Sequence, residues 1–230
     1  MSIKLSISKE ILGRHPDLSV QGIVVSGLRN LEKPFTVPSS SEIRDGIASM
    51  GISIENLASS PLVAEWRNAI ALCGLKPSRY KSSVEALSRR WLSRQEVTTS
   101  VCAVDLYCAV SVLHMAPLGA YDLDRLPSPD VALRLADPLN DCFVPLGGRP
   151  EDMPLTEDLA VYASGSTVLC YAFNHRDSRE TCLTEGSERA VFLGEAVTRS
   201  QGLALDAAIE DLERRLASSG VGVLSRIRVP

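Results

Sequence analysis

Paired cysteines are missing. The six thiols, Cys73, Cys102, Cys108, Cys142, Cys170 and Cys182, are scattered, with no CxxC pair and no histidine at zinc-finger spacing. No metal is therefore expected. Histidine is scarce, with His15, His114 and His175 the only imidazoles. There is no glycine-rich phosphate loop and no regular βα repeat, which disfavours a doubly wound nucleotide fold and leaves no cofactor to expect. The start of the chain, Met1 to Ser6, lacks the uninterrupted apolar core of a secretory signal. The longest uncharged stretch, Leu106 to Tyr121, contains His114, Pro117 and Gly119 and falls short of the ~20 residues that span a bilayer. A cytoplasmic protein with reduced thiols and no membrane partner is the expectation. An excess of positive charge is missing too. Lys and Arg total 24 against 28 Asp and Glu, a formal net charge of −4. Binding to nucleic acid through bulk charge is excluded, no DNA partner is expected, and any RNA contact must be local. No internal repeat, low-complexity tract or heptad seam is visible, so oligomeric state is not legible.

What remains is a globular composition. The 230 residues, 45% hydrophobic and 23% charged, can bury a core without disulfides. Ile3, Leu5 and Ile7 alternate, and Ile23-Val24-Val25 precedes Gly27, predicting two short strands that open a sheet. Ser41 and Glu42 start a helix running toward Met50-Gly51. Ser60-Pro61 offers an N-cap followed by proline at the first helical position, and Val63, Trp66, Ile70 and Cys73 share a face until Gly74. Ser82 and Glu85 have capping-box spacing, ahead of a stripe at Val84, Leu87, Ser88, Trp91 and Leu92. Val101 to Leu113 is apolar enough that its period does not separate buried strand from buried helix. Its one charge, Asp105, must cap a helix or meet a partner, because an unpaired acid there costs several kcal/mol. Pro117 to Asp124 reads as a turn. Val131, Leu133 and Leu135 alternate, as do Leu159 and Val161, and Val168 to Phe173 follows Gly165 as another strand. Leu205, Ile209, Leu212 and Leu216 trace a final helix stopped at Gly220.

Between Lys76 and Arg94 six basic residues (Lys76, Arg79, Lys81, Arg89, Arg90, Arg94) face one acid, Glu85, within a net-negative chain. Such a strip is either a solvated helix face or a surface that contacts phosphate.

Four segments carry a resemblance. Lys76-Pro-Ser-Arg-Tyr-Lys-Ser-Ser-Val-Glu-Ala-Leu with Arg89-Arg90, Val104-Asp105-Leu-Tyr-Cys-Ala-Val-Ser, Pro117-Leu-Gly-Ala-Tyr-Asp122-Leu-Asp124, and Asn174-His-Arg176-Asp177-Ser178 leading to Thr184 and Glu185 resemble the editing module of the phenylalanyl-tRNA synthetase beta subunit. They resemble its free-standing relatives more closely still. The likeness spans roughly residues 20 to 216. It implies an α+β fold, with mixed and antiparallel sheets packed with helices, and one editing-like domain over 1–230. It also implies a partner, the aminoacylated acceptor end of tRNA, whose wrongly attached amino acid the module hydrolyses.

By the same resemblance the substrate-binding residues are Asp105, Gly119, Asn174, Arg176, Thr184 and Glu185, and the RNA-binding residues are Lys76, Arg79, Lys81, Arg89 and Arg90. Asp105 falls at the start of the pocket helix, where it either orients that helix or meets the substrate's ammonium. Thr184 and Glu185 either read the substrate side chain or begin a helix as N-cap and first-turn acid. Arg176 either holds the terminal adenosine phosphate or pairs with Asp177, and His175 is expected to be exposed. Two positions depart from the family. Gly119 stands where the synthetase has histidine, and Cys108 stands where the family commonly has asparagine. Cys108 is either a small buried packing residue or a catalytic nucleophile able to carry an aminoacyl group as a thioester. The implied activity is deacylation of a mischarged or noncanonical aminoacyl-tRNA in trans. Aminoacyl transfer through Cys108 and a non-catalytic amino-acid or RNA-end binding module are the alternatives.

Overall fold

The computed structural model describes residues 3–93 and 98–230. In chain order it runs β1 (Lys4–Ile7), α1 (Lys9–Arg14), β2 (Ser19–Ser26), α2 (Ser40–Ser49), α3 (Pro61–Leu72), α4 (Ser83–Leu92), α5 (Cys102–His114) and β3 (Leu118–Asp122). There follow β4 (Asp130–Leu135), β5 (Ala160–Ser164), β6 (Thr167–Tyr171), β7 (Arg176–Asp177), β8 (Arg189–Ala196), α6 (Arg199–Ser218) and β9 (Gly222–Val229). This is an α+β fold with two sheets. One is mixed, in the order β1-β4-β5-β6-β7, with β1 parallel to β4 and the other pairs antiparallel. The other is antiparallel throughout, in the order β3-β8-β2-β9.

The helix signals act locally as their chemistry dictates. Ser39, rather than Ser41, caps α2, and with Glu42 it forms a reciprocal capping box. Ser82 Oγ accepts from the Glu85 backbone N–H at the start of α4, but the Glu85 side chain does not return the bond. It is drawn instead into the core, where Arg67 and Arg89 donate to it. The ambiguous run is the helix α5, buried continuously from Leu106 to Val112 because α2, α4, α6 and β3 surround it. Burial on every side removes the periodicity that would have identified it.

Two sequence expectations are corrected. The first two strands do not open one sheet, since β1 joins β4 and β2 lies between β8 and β9. The segment read as a turn after Pro117 is the strand β3, paired with β8 from Leu118 to Asp122. Also, β8, α1 and β9 left no readable pattern. Seven of the eight β8 residues are buried, so alternation is absent.

Residues of both sheets share one continuous apolar core. A Cβ at Gly194 would stand 2.8 Å from the Pro117 carbonyl oxygen, so glycine there permits β3 and α6 to close on β8. Across the seam Tyr162 on β5 donates its hydroxyl to Glu195 on β8 at 3.1 Å, and the Tyr121 and Tyr162 rings lie 6.5 Å apart. That seam leads into a cleft.

Candidate functional site

The cleft is built around the corner that follows β6. Ala172 and Phe173 adopt left-handed φ angles of 50° and 63°, a conformation costing non-glycine residues roughly 1–2 kcal/mol each. Phe173 is anchored there by edge contacts of its buried ring with Trp66 (5.8 Å) and His15 (5.3 Å). The corner aims Asn174 at the first turn of α4. Ser83 N–H donates to both the carbonyl oxygen and Oδ1 of Asn174, each at 3.1 Å. Asn174 Nδ2 donates in turn to Glu195 Oε1 at 2.6 Å. One side chain thus fixes a turn, a helix start and a strand relative to one another.

The hollow has two tiers. The outer cleft, about 270 Å³, is walled by α4 (Ser83, Leu87, Arg90), α5 (Tyr107, Cys108) and the segment Asn174 to Asp177. Beneath it lies an inner chamber of about 20 Å³, lined in part by Gly119, Tyr121, Cys170, Asp177 and Glu195. Ser83, Leu118, Asn174 and Asp177 belong to both tiers. At their junction Ser83 Oγ is shielded from solvent and has no hydrogen-bond partner. Burial pushes the Glu195 carboxyl up to about 7, against the pull of the bonds from Asn174 and Tyr162. Burial likewise raises Asp177, although Cys170, Arg176 and Tyr121 act to lower it.

Of the residues expected at the site, Cys108, Gly119, Asn174 and Arg176 come together here. Arg176 does not pair with Asp177. It is exposed, and its Nη1 donates to the Leu146 carbonyl at 3.2 Å. Asp105, Thr184 and Glu185 do not join them. Asp105 faces a separate hollow of about 340 Å³ beside Val37, Pro38 and Trp91. Its Oδ1 accepts from Thr99 N–H at 2.8 Å, so it closes the entry to α5. Thr184 and Glu185 start no helix. They form the turn before β8, where Thr184 Oγ1 accepts from Gly186 N–H, and they line a third hollow of about 190 Å³ with Leu28, Phe35 and Cys102. Cys108 is 8% exposed. Burial, with Asp177 nearby, pushes its thiol up to about 12, the opposite of what a thiolate nucleophile needs.

Residues 65–219 match the model of the B3/4 domain. The chain belongs to that family. It is thereby a relative of the corresponding domain of the phenylalanyl-tRNA synthetase beta subunit. The chain is also similar to the crystal structure of an N-terminal fragment of the phenylalanyl-tRNA synthetase beta-subunit from Pyrococcus horikoshii. Identity is 14% and the TM-score 0.48, over 100% of this chain and 55% of the fragment. The chain therefore spans about half the length of that fragment. No curated protein matches it.

Every residue of the two-tiered cleft named above lies within the matched B3/4 segment. The basic strip of this B3/4 member splits by role. Arg89 donates to fully buried Glu85 at 3.0 Å, as does Arg67 at 2.9 Å, so Arg89 is a structural cation and not a free surface charge. Lys81 Nζ donates to the Ser78 carbonyl. Lys76, Arg79 and Arg90 are exposed. Arg79 lies over the Tyr80 ring, which meets His175 at the cleft rim. His175 itself is half-buried rather than exposed, with Nδ1 2.7 Å from the Lys81 carbonyl oxygen. Arg94 lies outside the described residues, as do Met1 and Ser2 of the N-terminal segment.

Ser83, Tyr121, Cys170, Asp177 and Glu195 escape a reading of sequence alone. A usable signal existed for Glu195. It is an isolated acid in the apolar stretch Val191-Phe192-Leu193-Gly194-Glu195-Ala196, the same pattern that singled out Asp105. Among the described residues no group of three or more His, Cys, Asp and Glu side chains is placed to hold a metal ion. Among them, too, no helix is long and apolar enough to cross a membrane.

Proposed function

We propose that this B3/4 member receives the aminoacylated 3′ end of a tRNA in the two-tiered cleft and hydrolyses its ester bond, removing a mischarged or noncanonical amino acid in trans. The observation that carries the reading is the unpartnered, shielded Ser83 hydroxyl at the junction of the tiers, on the first residue of α4. An ester carbonyl lodged at that point would accept the hydrogen bond that Ser83 lacks, in the positive field of a helix start. An aminoacyl ester is already activated. Holding it beside a water and donating to the developing oxyanion suffices without a strong base.

The outer cleft has room for the aminoacyl group, and Arg90 and Arg176 stand on its wall with Arg79 nearby, a local cationic rim suited to phosphate. Family membership supports the same class of partner. Transfer through Cys108 is disfavoured by its protonated, buried thiol. The full chain 1–230 is taken to act as one editing-like unit.

The test is incubation of the purified protein with a panel of mischarged tRNAs. Release of amino acid from at least one member is expected, with Ser83→Ala slowing it by about a hundredfold to a thousandfold. Inertness toward every member, or full activity of Ser83→Ala, contradicts the reading.

A further inference from the structure

The inner chamber is acidic in an unusual way. Asp177 on β7 and Glu195 on β8 both line it, and none of the described residues lining it is lysine, arginine or histidine. Around Glu195 stand Asn174 and Tyr162, each donating to one carboxylate oxygen, and Asp177 across the chamber. Around Asp177 stand Cys170, Tyr121 and Arg176, the last exposed and donating one N–H to the Leu146 carbonyl. Two acids thus line one small chamber and neither forms a salt bridge among the described residues, the exposed Arg176 acting on Asp177 from outside its lining.

Size and hydrogen bonding narrow what the chamber can hold. A space of about 20 Å³ accepts one water-sized group and no ring or branched chain. Tyr162 Oη gives its only proton and Asn174 Nδ2 one of its two N–H groups to Glu195, while Tyr121 and Cys170 are the donors beside Asp177. Ser83 Oγ, shielded and unpartnered, opens on the same chamber and has lone pairs to offer. A neutral hydroxyl brings one proton and no charge to these acceptors. An ammonium brings three protons and a positive charge.

We propose that the inner chamber is a receptor for a primary ammonium group, held between the carboxylates of Asp177 and Glu195 with the Ser83 hydroxyl as a third acceptor. The assignment rests on reading the outer cleft as the seat of an aminoacyl ester, and it identifies the feature of that ester which the site grips. Because Ser83 lies at the junction, its oxygen can accept from the ammonium while its proton goes to the ester carbonyl. An ammonium on the α-carbon satisfies both at once. An ammonium at the end of a side chain offers the same chemistry from a second source. Either way, cation entry favours ionised carboxyls, so a proton held by Glu195 leaves to solvent as the ligand binds.

The direct test is a carboxyl ¹³C NMR titration of Glu195 in the full chain, its resonance assigned with Glu195→Gln, in ethylammonium chloride, in ethanol, and in potassium chloride of equal ionic strength. Ethylammonium is expected to lower the Glu195 midpoint by about one pH unit, a tenfold change in proton affinity. Ethanol and potassium chloride should leave it in place. Asp177→Asn should abolish the response. So should Gly119→Ala, whose added Cβ would sit 3.5 Å from Tyr121 Oη and 3.9 Å from Asp177 Oδ1, ordinary contact distances that fill the chamber without a clash. A midpoint unmoved by ethylammonium, or moved equally by ethanol, overturns the proposal even if the tRNA panel shows deacylation. A response to ethylammonium with no deacylation leaves the receptor standing and removes only the hydrolase reading.

Non-hydrolysable adenosine analogues locate the source. Alanyl tighter than lactyl places the ammonium on the α-carbon, and an α-hydroxy analogue with a side-chain amine tighter than lactyl places it on the side chain. Equal affinity for all three contradicts the receptor.

Discussion

Cys108 and Glu195 reverse the roles that residue type alone would give them. The thiol, the more reactive group in free solution, is buried beside an acid and held protonated, while a glutamate in an apolar strand is held near neutrality. Cys108→Ala is therefore expected to retain deacylation within about twofold, since only a buried packing atom is lost. A loss of activity together with an aminoacyl adduct by intact mass would contradict this. Glu195 has a stability consequence with a definite sign. Its folded midpoint of about 7 lies above its ordinary 4.5. The folded state therefore binds the proton more tightly, and this contribution is complete below about pH 4.5 and is lost as pH rises through 7. Relative to Glu195→Gln, the parent should lose on the order of 3 kcal/mol of unfolding free energy across that window. Parallel denaturation curves at pH 4.5 and 8 measure it, and a constant difference between the two proteins would show that Glu195 is not raised.

At the scale of elements, the site depends on how α4 and the corner after β6 are tied. Asn174→Ala removes the side-chain acceptor for Ser83 N–H and the donor to Glu195. It should cost about 1–3 kcal/mol of stability and move the Glu195 midpoint further up, because the lost bond lowers it. The two neighbouring arginines of α4 should separate cleanly. Arg89→Ala weakens the buried Glu85 cluster and is expected to lower stability by about 2 kcal/mol or more. Arg90→Ala, exposed on the cleft wall, should leave stability within about 0.5 kcal/mol and weaken tRNA binding. Thermal melts and filter binding on both variants check this, and a reversed assignment would contradict it.

Elements were legible where their signals are local. Pro61 at the first turn of α3, Ser82 before α4, and the stripe of α6 ending at Gly220 all specify their helices from a few adjacent residues. Where packing alone decides, legibility fails. The strand β8 and the helix α5 are buried on every side and show no period. The site was half legible for the same reason. Asn174, Arg176, Cys108 and Gly119 fall on matched motifs, whereas Asp105 and the Thr184-Glu185 turn lie near them in sequence but open on other hollows. Sequence proximity does not say which face of α5, or which side of the loop before β8, reaches the cleft.

Across the whole molecule, a net charge of −4 coexists with a cationic rim of a few residues. Affinity for tRNA should consequently fall with salt along a shallow slope, about −2 to −3 in log–log form for three or four phosphate contacts on a single strand. A slope near −8 would require a far larger basic surface. The continuous core shared by both sheets and the helices also predicts one cooperative unfolding transition by circular dichroism and tryptophan fluorescence together.

The most direct measurement of the central claim is amide and carboxyl chemical-shift mapping of the full chain with a non-hydrolysable 3′-aminoacylamino-adenosine. Perturbations centred on Ser83, Cys108, Gly119, Asn174, Asp177 and Glu195 are the expected result. Perturbations centred instead on Asp105 and Trp91, or on Thr184 and Cys102, would place the aminoacyl group in another hollow and contradict the account.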